Sequence, residues 1–286
     1  MANLKDIRKR IVSVKNTQQI TSAMKMVAAA KFRRAQESIE KFRPYAEKMD
    51  DVLKSLALRT NYLAHPLLQR RPVSKVLIVV VTSDRGLCGG FNQNIIRFTD
   101  RFLRENHRKY SEIALALIGR KGYEYFRKRN VSRFKSHTGI SGKISYELAN
   151  RITGEFSEAF LTQTYDEVYL LYNKFVTAMT QQVYFERILP IEEIKLPEGE
   201  KAYEYVYEPS RDDLLDDIIV KNLDVQMLHA LLESEASELG ARMTAMDSAT
   251  SNAQEMIERL TLTYNRARQE SITKELLEII GGAEAL

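Results

Sequence analysis

Ala28-Ala29-Ala30-Lys31-Phe32-Arg33-Arg34-Ala35-Gln36-Glu37-Ser38-Ile39-Glu40-Lys41-Phe42 sets its apolar side chains at Ala28, Phe32, Ala35, Ile39 and Phe42, in alternating steps of four and three. The series extends back through Val14, Ile11 and Ile7 and forward through Ala46, Met49, Leu53 and Leu56. Only Gln18, Thr21 and Lys25 interrupt it, and they fall together. No Gly lies between Met1 and Thr60, and the one Pro is Pro44. A second stretch of this kind runs from about Arg211 to Ile280, with Gly240 its single glycine. Seams repeating every 3.5 residues or so mark helices that wind around one another. At roughly 1.5 Å per residue, the second helix alone reaches about 100 Å. Such a rod suits reach or leverage better than chemistry.

Between the seams the signals alternate. Lys75-Val76-Leu77-Ile78-Val79-Val80-Val81-Thr82 reads as a buried strand, with a helix from about Asn92. Ile113–Ile118 is a second strand, followed by a helix over Gly122–Arg129 and a short strand over Val131–Phe134. Ser145–Leu161 is helical, and Glu167–Val176 pairs through Thr177–Thr180 with an antiparallel strand, Gln182–Ile188. Repeated βα units predict a Rossmann-like α/β domain with a mixed, mainly parallel sheet. The expected divisions are 1–58 for the first helix, 74–208 for the α/β domain and 209–286 for the last helix. Ser210 is placed to cap that helix, with Asp212 and Asp213 in its first turn.

The economical arrangement folds both helices into a long antiparallel coiled coil. Pairing Leu58 with Arg211 and counting outward brings Ala2 opposite Ala267, so the last helix outruns its partner by about nineteen residues, or ~28 Å. The overhang carries Ile272, Leu276, Leu277, Ile279 and Ile280, with no helix of this chain to cover them. Uncovered apolar tips usually mark an interface.

The net charge of +5 conceals an asymmetry: Met1–Arg34 holds nine Lys or Arg against the single acid Asp6. A solvated face, nucleic acid and an acidic protein surface are all open readings. The stacking aromatics of single-strand binders are missing, because Phe32 is the one ring there and lies on the seam. The longest apolar run, Val76–Val81, is far too short to cross a bilayer. The basic start invites comparison with a transit peptide, but the heptads run past the point where one would be cut. One cysteine, Cys88, excludes an internal disulfide and fits a reducing compartment.

The Gly-rich loop Ser83-Asp84-Arg85-Gly86-Leu87-Cys88-Gly89-Gly90-Phe91-Asn92 leaves a strand and enters a helix, where phosphates often bind. It matches neither Gly-x-Gly-x-x-Gly nor a P-loop, and a tight structural turn is the favoured reading. His65, His107, His137 and His229 are scattered, without metal-ligand spacing or a pairing to Cys88. No cofactor, metal or catalytic residue is expected. The polar break at Gln18, Thr21 and Lys25 either sets register or meets a surrounding partner. Met24 and Met26 read as packing, or as a smooth sliding surface.

Ile272-Thr273-Lys274-Glu275-Leu276-Leu277-Glu278-Ile279-Ile280-Gly281-Gly282-Ala283-Glu284-Ala285 resembles the C-terminal signature of the gamma subunits of F-type ATP synthases. Ile7-Arg8 through Asn16-Thr17-Gln18-Gln19-Ile20-Thr21-Ser22-Ala23-Met24-Lys25-Met26-Val27-Ala28-Ala29-Ala30-Lys31 is similar to that family's first helix, and Ser83–Asn92 to the loop after its first strand. The resemblance implies a non-catalytic central-stalk rotor that couples proton flow to ATP synthesis. Its coiled coil would turn inside three alpha and three beta subunits, its body would bind epsilon, and its foot would stand on the membrane c-ring. It further implies partner contacts at Arg268, Gln269 and Thr273 with beta-subunit loops, at Arg242 lower on the same helix, and at Tyr205 and Glu208 where the foot meets the ring. Ile272, Leu276, Ile279 and Ile280 would seat in the sleeve. The lone Cys88 departs from the plant chloroplast branch, which needs a dithiol. A bacterial chain, peripheral on the cytoplasmic side of the cell membrane, is the reading that follows. The rival is a nucleotide-binding α/β protein with a coiled-coil oligomerisation stalk.

Overall fold

The computed structural model of this chain describes residues 4–57, 65–191 and 211–284, without the side chains of 50, 54–57, 211–216 and 281–284. The first helix, α1, is Leu4–Ala57, and the last, α5, is Arg211–Glu284. At 74 residues, α5 is about 110 Å long. Pro44 is inside α1. The proposed cap Ser210 lies outside the described residues.

The chain divides into two compact units, one of residues 30–241 and one of residues 1–29 with 242–286. The larger unit is built on a five-stranded sheet: β1 (Lys75–Val81), β2 (Glu112–Ile118), β3 (Ser132–His137), β4 (Glu167–Phe175) and β5 (Gln181–Leu189). The order is β3-β2-β1-β4-β5, parallel but for β5, which pairs antiparallel with β4. Three helices link the parallel strands: α2 (Phe91–Asn106), α3 (Arg120–Phe126) and α4 (Tyr146–Leu161). The expected third helix therefore starts two residues early, at Arg120. The third strand starts one residue late and runs on to His137.

Alternation along β1 sorts the core, since successive strand side chains point to opposite faces. Val76, Ile78 and Val80 join Leu115 and Leu117 under α2, through Ile95 and Ile96, and α3, through Phe126. Leu77, Val79 and Val81 join Ala114, Ala116 and Ile118 on the other face. There α4 supplies Ile152, Phe156 and Phe160, and α5 supplies Leu223, Met227 and Leu231. Burial on both faces explains why β1 carries six consecutive apolar residues without a polar break. Gly119 is required at the β2–α3 turn: its φ is +91°, and a Cβ there would sit 2.0 Å from the Thr82 carbonyl oxygen. Ser145 caps α4 through the Leu148 amide.

In the same unit α1 packs on α5, with Ala35, Ile39, Ala236 and Leu239 buried together beside Phe32. In the smaller unit the two helices are joined by a ladder of polar pairs. Gln18 Nε2 donates to Gln254 Oε1 at 2.8 Å, Thr250 Oγ1 to Thr21 Oγ1 at 2.8 Å, and Lys25 Nζ to Asp247 Oδ1 at 2.5 Å. The residue numbers in each pair add to 271 or 272, so the helices run antiparallel. The register lies two or three residues beyond the one counted from Leu58 and Arg211. Sequence periodicity places a seam but does not index one helix against the other. Leu4 consequently faces position 267 or 268, and α5 continues past it.

Candidate functional site

Two places in the structure could carry function, and the first is the crevice beside β1. The strand order reverses direction between β1 and β4, and folds of this type bind ligands at the carboxyl ends of strands flanking such a switch. Here the chain fills that position itself. Phe91, the first residue of α2, is buried with Cys88 and with Ala241 of α5. Asn173, at the end of β4, donates through Nδ2 to the Phe91 carbonyl at 3.2 Å and accepts at its own carbonyl from Ser237 of α5 at 3.0 Å. Gly240 brings α5 so near the β4–β5 turn that a Cβ would stand 3.2 Å from the Ala178 backbone.

The Gly-rich loop closes on its own groups. Ser83 donates its amide to Asn92 Oδ1 at 2.9 Å and its hydroxyl to the Arg85 carbonyl at 2.5 Å, while Asn92 Nδ2 donates to Ser83 Oγ at 2.7 Å. Asp84 supplies the anion that such a turn can attract. Its Oδ1 accepts from the amides of Arg120 at 3.0 Å and Gly139 at 2.8 Å, and its Oδ2 from Ser141 at 2.9 Å. Burial pushes this carboxyl's pKa up, but the amides of Gly139, Ser141, Arg120 and Ile140 outweigh it and leave the pKa below the ordinary value. Next to it, Glu235 of α5 accepts from the Gly142 amide at 3.1 Å, and burial raises its pKa against the pull of that amide and of Lys31. The cavity left among Asp84, Ile140, Leu231 and Glu235 is about 20 Å³, room for one water molecule. A nucleotide has no space there.

Cys88 is buried, its sulfur held by Asn92 Nδ2 at 3.2 Å. The histidines are engaged elsewhere: His137 with Glu155 at 2.9 Å, His229 with Glu233 at 3.5 Å, and His107 with the Arg104 carbonyl at 2.7 Å. His65 Nδ1 accepts from the Leu67 amide at 3.2 Å. Among the described residues no cluster of His, Cys, Asp or Glu could hold a metal ion. Among the described residues no helix is long and apolar enough to cross a membrane.

The second place is the far part of α5. Ile272 is 48% exposed, Leu276 54%, Leu277 63%, Ile279 68% and Ile280 55%. Between them the polar side chains pair along the helix, Arg266 with Glu270 at 3.1 Å and Lys274 with Glu278 at 3.6 Å. Thr273 Oγ1 donates back to the Gln269 carbonyl at 2.9 Å. Arg268 and Gln269 are exposed, and Arg268 enters no ion pair among the described residues. Arg242 is half-buried, one helical stretch below. Tyr205 and Glu208 lie outside the described residues. The apolar line from Ile272 to Ile280 is thus brought onto one helix end together with Arg268, Gln269 and Thr273, while Arg242 stands apart. Each residue of the polar break bonds across to α5, which supports the register reading. Met26 is 64% exposed, with Ile20 and Val27 exposed near it, whereas Met24 is half-buried. Sequence reasoning passed over Asp84 and Glu235. Asp84 stood inside the quoted loop, and an acid in a Gly-rich anion-binding turn was the available signal.

Comparison with known proteins bears on both places. The family model described as ATP synthase matches residues 3–286. The "ATP synthase gamma chain" of Trichlorobacter lovleyi is 52% identical over 287 residues, covering 100% of this chain and 99% of the relative. That of Geobacter sp. (strain M21) is 54% identical over 286 residues, with the same coverage. Among solved structures, the Tetrahymena thermophila mitochondrial ATP synthase central stalk/c-ring contains a similar chain with 27% identity and a TM-score of 0.61. The match covers 80% of this chain and 99% of that one. A chain of the Euglena gracilis mitochondrial ATP synthase shares the fold, with a TM-score of 0.71 and 22% identity over 99% of this chain and 94% of that one. With a filled crevice, an uncovered helix end and full-length likeness of this order, the chain belongs to the gamma-chain family of ATP synthases.

Proposed function

We infer that this chain is the central-stalk rotor subunit of a bacterial F-type ATP synthase. It is non-catalytic, and its part in ATP synthesis is mechanical. The observation that carries the reading is the apolar end of α5, whose five large side chains from Ile272 to Ile280 are each about half exposed or more. That much apolar surface on one helix calls for a sleeve, and the alpha and beta subunits supply it. Ile272, Leu276, Ile279 and Ile280 seat in this sleeve, with Arg268, Gln269 and Thr273 reaching beta-subunit loops and Arg242 making a lower contact. The body binds epsilon, and Tyr205 and Glu208 stand on the c-ring. Association with the membrane is peripheral and runs through the complex, on the cytoplasmic face of the cell membrane.

One asymmetric shaft in a ring of three alpha and three beta subunits cannot touch three catalytic sites alike. Each orientation has its own contact energy with each beta subunit, so rotation shifts their nucleotide affinities in turn. Proton-driven turning releases ATP, and hydrolysis drives the reverse. Deleting Ile272–Leu286 tests the assignment in the assembled complex. The yield of complex with alpha and beta, and the coupled ATP synthesis rate, should both fall. Unchanged yield, synthesis and ATPase rates would remove the bearing role from this segment. The filled crevice disfavours the nucleotide-binding alternative, and micromolar ATP binding by the isolated chain would revive it.

A further inference from the structure

Where α5 packs on β4 and β5, the seam collects a group of titratable side chains. Ser237 of α5 donates to the Asn173 carbonyl of β4 at 3.0 Å, which fixes helix against strand. One turn earlier on α5 is Glu233, and one turn before that His229. In the sheet, Leu170 stands opposite Glu186 and Tyr172 opposite Tyr184, so these four side chains share one face. It is the face that packs on Leu228 and Leu231 of α5. Around Glu186 and Glu233 stand Tyr172 and Lys174 from β4, Tyr184 from β5 and His229 from α5, while Arg43 of α1 acts on His229.

The two carboxylates are poorly neutralised. Glu233 is 8% exposed, and its Oε2 is buried without a hydrogen-bond partner. Its Oε1 lies 3.5 Å from His229 Nε2. Burial holds the His229 pKa below its ordinary value, against the pull of Glu233 and with help from Lys174 and Arg43, so this imidazole is neutral at neutral pH. Lys174 is exposed and lies over the Tyr184 ring at 5.3 Å. Burial raises the Glu186 pKa; Lys174 and the Tyr184 hydroxyl oppose the rise, and the Glu233 charge adds to it. Packing alone would be served at lower cost by a neutral amide at either position.

We propose that Glu186 and Glu233 form a proton-operated latch between α5 and β5: when both are charged they repel across the seam, and one proton taken up by the pair closes it. The proton comes from water and returns to it, and no other bond changes. Neighbouring carboxyls titrate as a pair, the first proton relieving the repulsion between them. With the latch closed, α5 opens from the sheet less often. The device belongs to this chain alone and does not depend on rotation inside a ring.

The test follows the thermal midpoint of the full chain from about pH 8 to about pH 4 in the parent, Glu186→Gln, Glu233→Gln and the double variant. A carboxyl whose pKa is raised by folding contributes stability that is complete below its unfolded value of about 4.3 and is lost as pH rises through the folded value. Glu186→Gln should therefore raise the midpoint by about 3 °C at about pH 8, and the gain should shrink steadily toward about pH 4. In the Glu233→Gln background the same substitution should gain at least about 1 °C less, because the repulsion is already gone. Equal gains in the two backgrounds overturn the proposal. His229→Gln should leave the pH dependence of the Glu186→Gln gain in place; its disappearance would move the proton to the imidazole and overturn the pair. Hydrogen exchange, corrected for the intrinsic effect of pH, should protect the α5 amides around Glu233 more at about pH 5 than at about pH 8 in the parent, and not in Glu186→Gln. Equal protection at both pH values in the parent overturns the latch. Should a variant misfold, carbon-13 titration of the parent carboxyls still decides: Glu186 is expected to titrate above the exposed glutamates, and titration together with them overturns the proposal.

Discussion

Asp84 shows how much a single side chain can decide. Its carboxylate gathers the amides of Arg120, Gly139 and Ser141, tying the turns after β1, β2 and β3 together. Replacing it with Ala leaves those donors to water and should destabilise the chain by about 2 kcal/mol, read from the urea midpoint. The pH dependence has a definite sign. A carboxyl whose pKa is lowered by folding contributes stability above its unfolded value of about 3.9, and that contribution fades as pH falls through the lower folded value. The gap between parent and Asp84→Ala should therefore be full at neutral pH and narrow in acid below about pH 4. A gap independent of pH would mean that Asp84 acts through packing. The acid was visible in the Gly-rich turn, but its partners were not, because its role depends on three turns that meet only in the fold. Gly119, by contrast, was never singled out, although its positive φ and the close Thr82 carbonyl leave no other choice.

Among the elements, the α1–α5 pair was largely legible before any coordinates. A four-three apolar step over so many turns has few other physical outcomes. What periodicity could not supply was the offset of one helix along the other, and the polar ladder supplies it. Gln18, Thr21 and Lys25 broke the apolar seam, and each finds its partner on α5. The ion pair of the ladder is open to water, with Lys25 and Asp247 side chains 44% and 57% exposed. A double-mutant cycle of Lys25→Ala and Asp247→Ala should accordingly give a coupling of only about 0.5 kcal/mol, reduced further by salt. A coupling above about 2 kcal/mol would assign the pair a buried, structural weight that its exposure argues against. The sheet was equally readable, with β1, β2, β4 and β5 placed to within one residue at each end, whereas β3, which has no continuous apolar run, continues three residues past its expected end. The short helix α3 was misplaced by two residues because its start is set by the glycine turn packed on Thr82 and not by its own apolar pattern.

For the molecule as a whole, stability and assembly draw on different surfaces. In the smaller unit Ile257 is buried and Leu276 and Ile280 are exposed. Ile257→Glu should lower the melting midpoint by an amount matching about 3 kcal/mol, since it buries an unpaired carboxylate. Leu276→Glu with Ile280→Glu should leave that midpoint within experimental error yet impair assembly with the alpha and beta subunits. A large thermal shift from the tip variant would show these residues to be packed within the chain. The site was legible only as far as the bare tip and a resemblance could take it, because its partners belong to other chains. The occupied switch point, finally, carries a pharmacological consequence. Adenine mimics designed against ATP-consuming enzymes would find no berth at this crevice, since Phe91 and Ala241 occupy the seat.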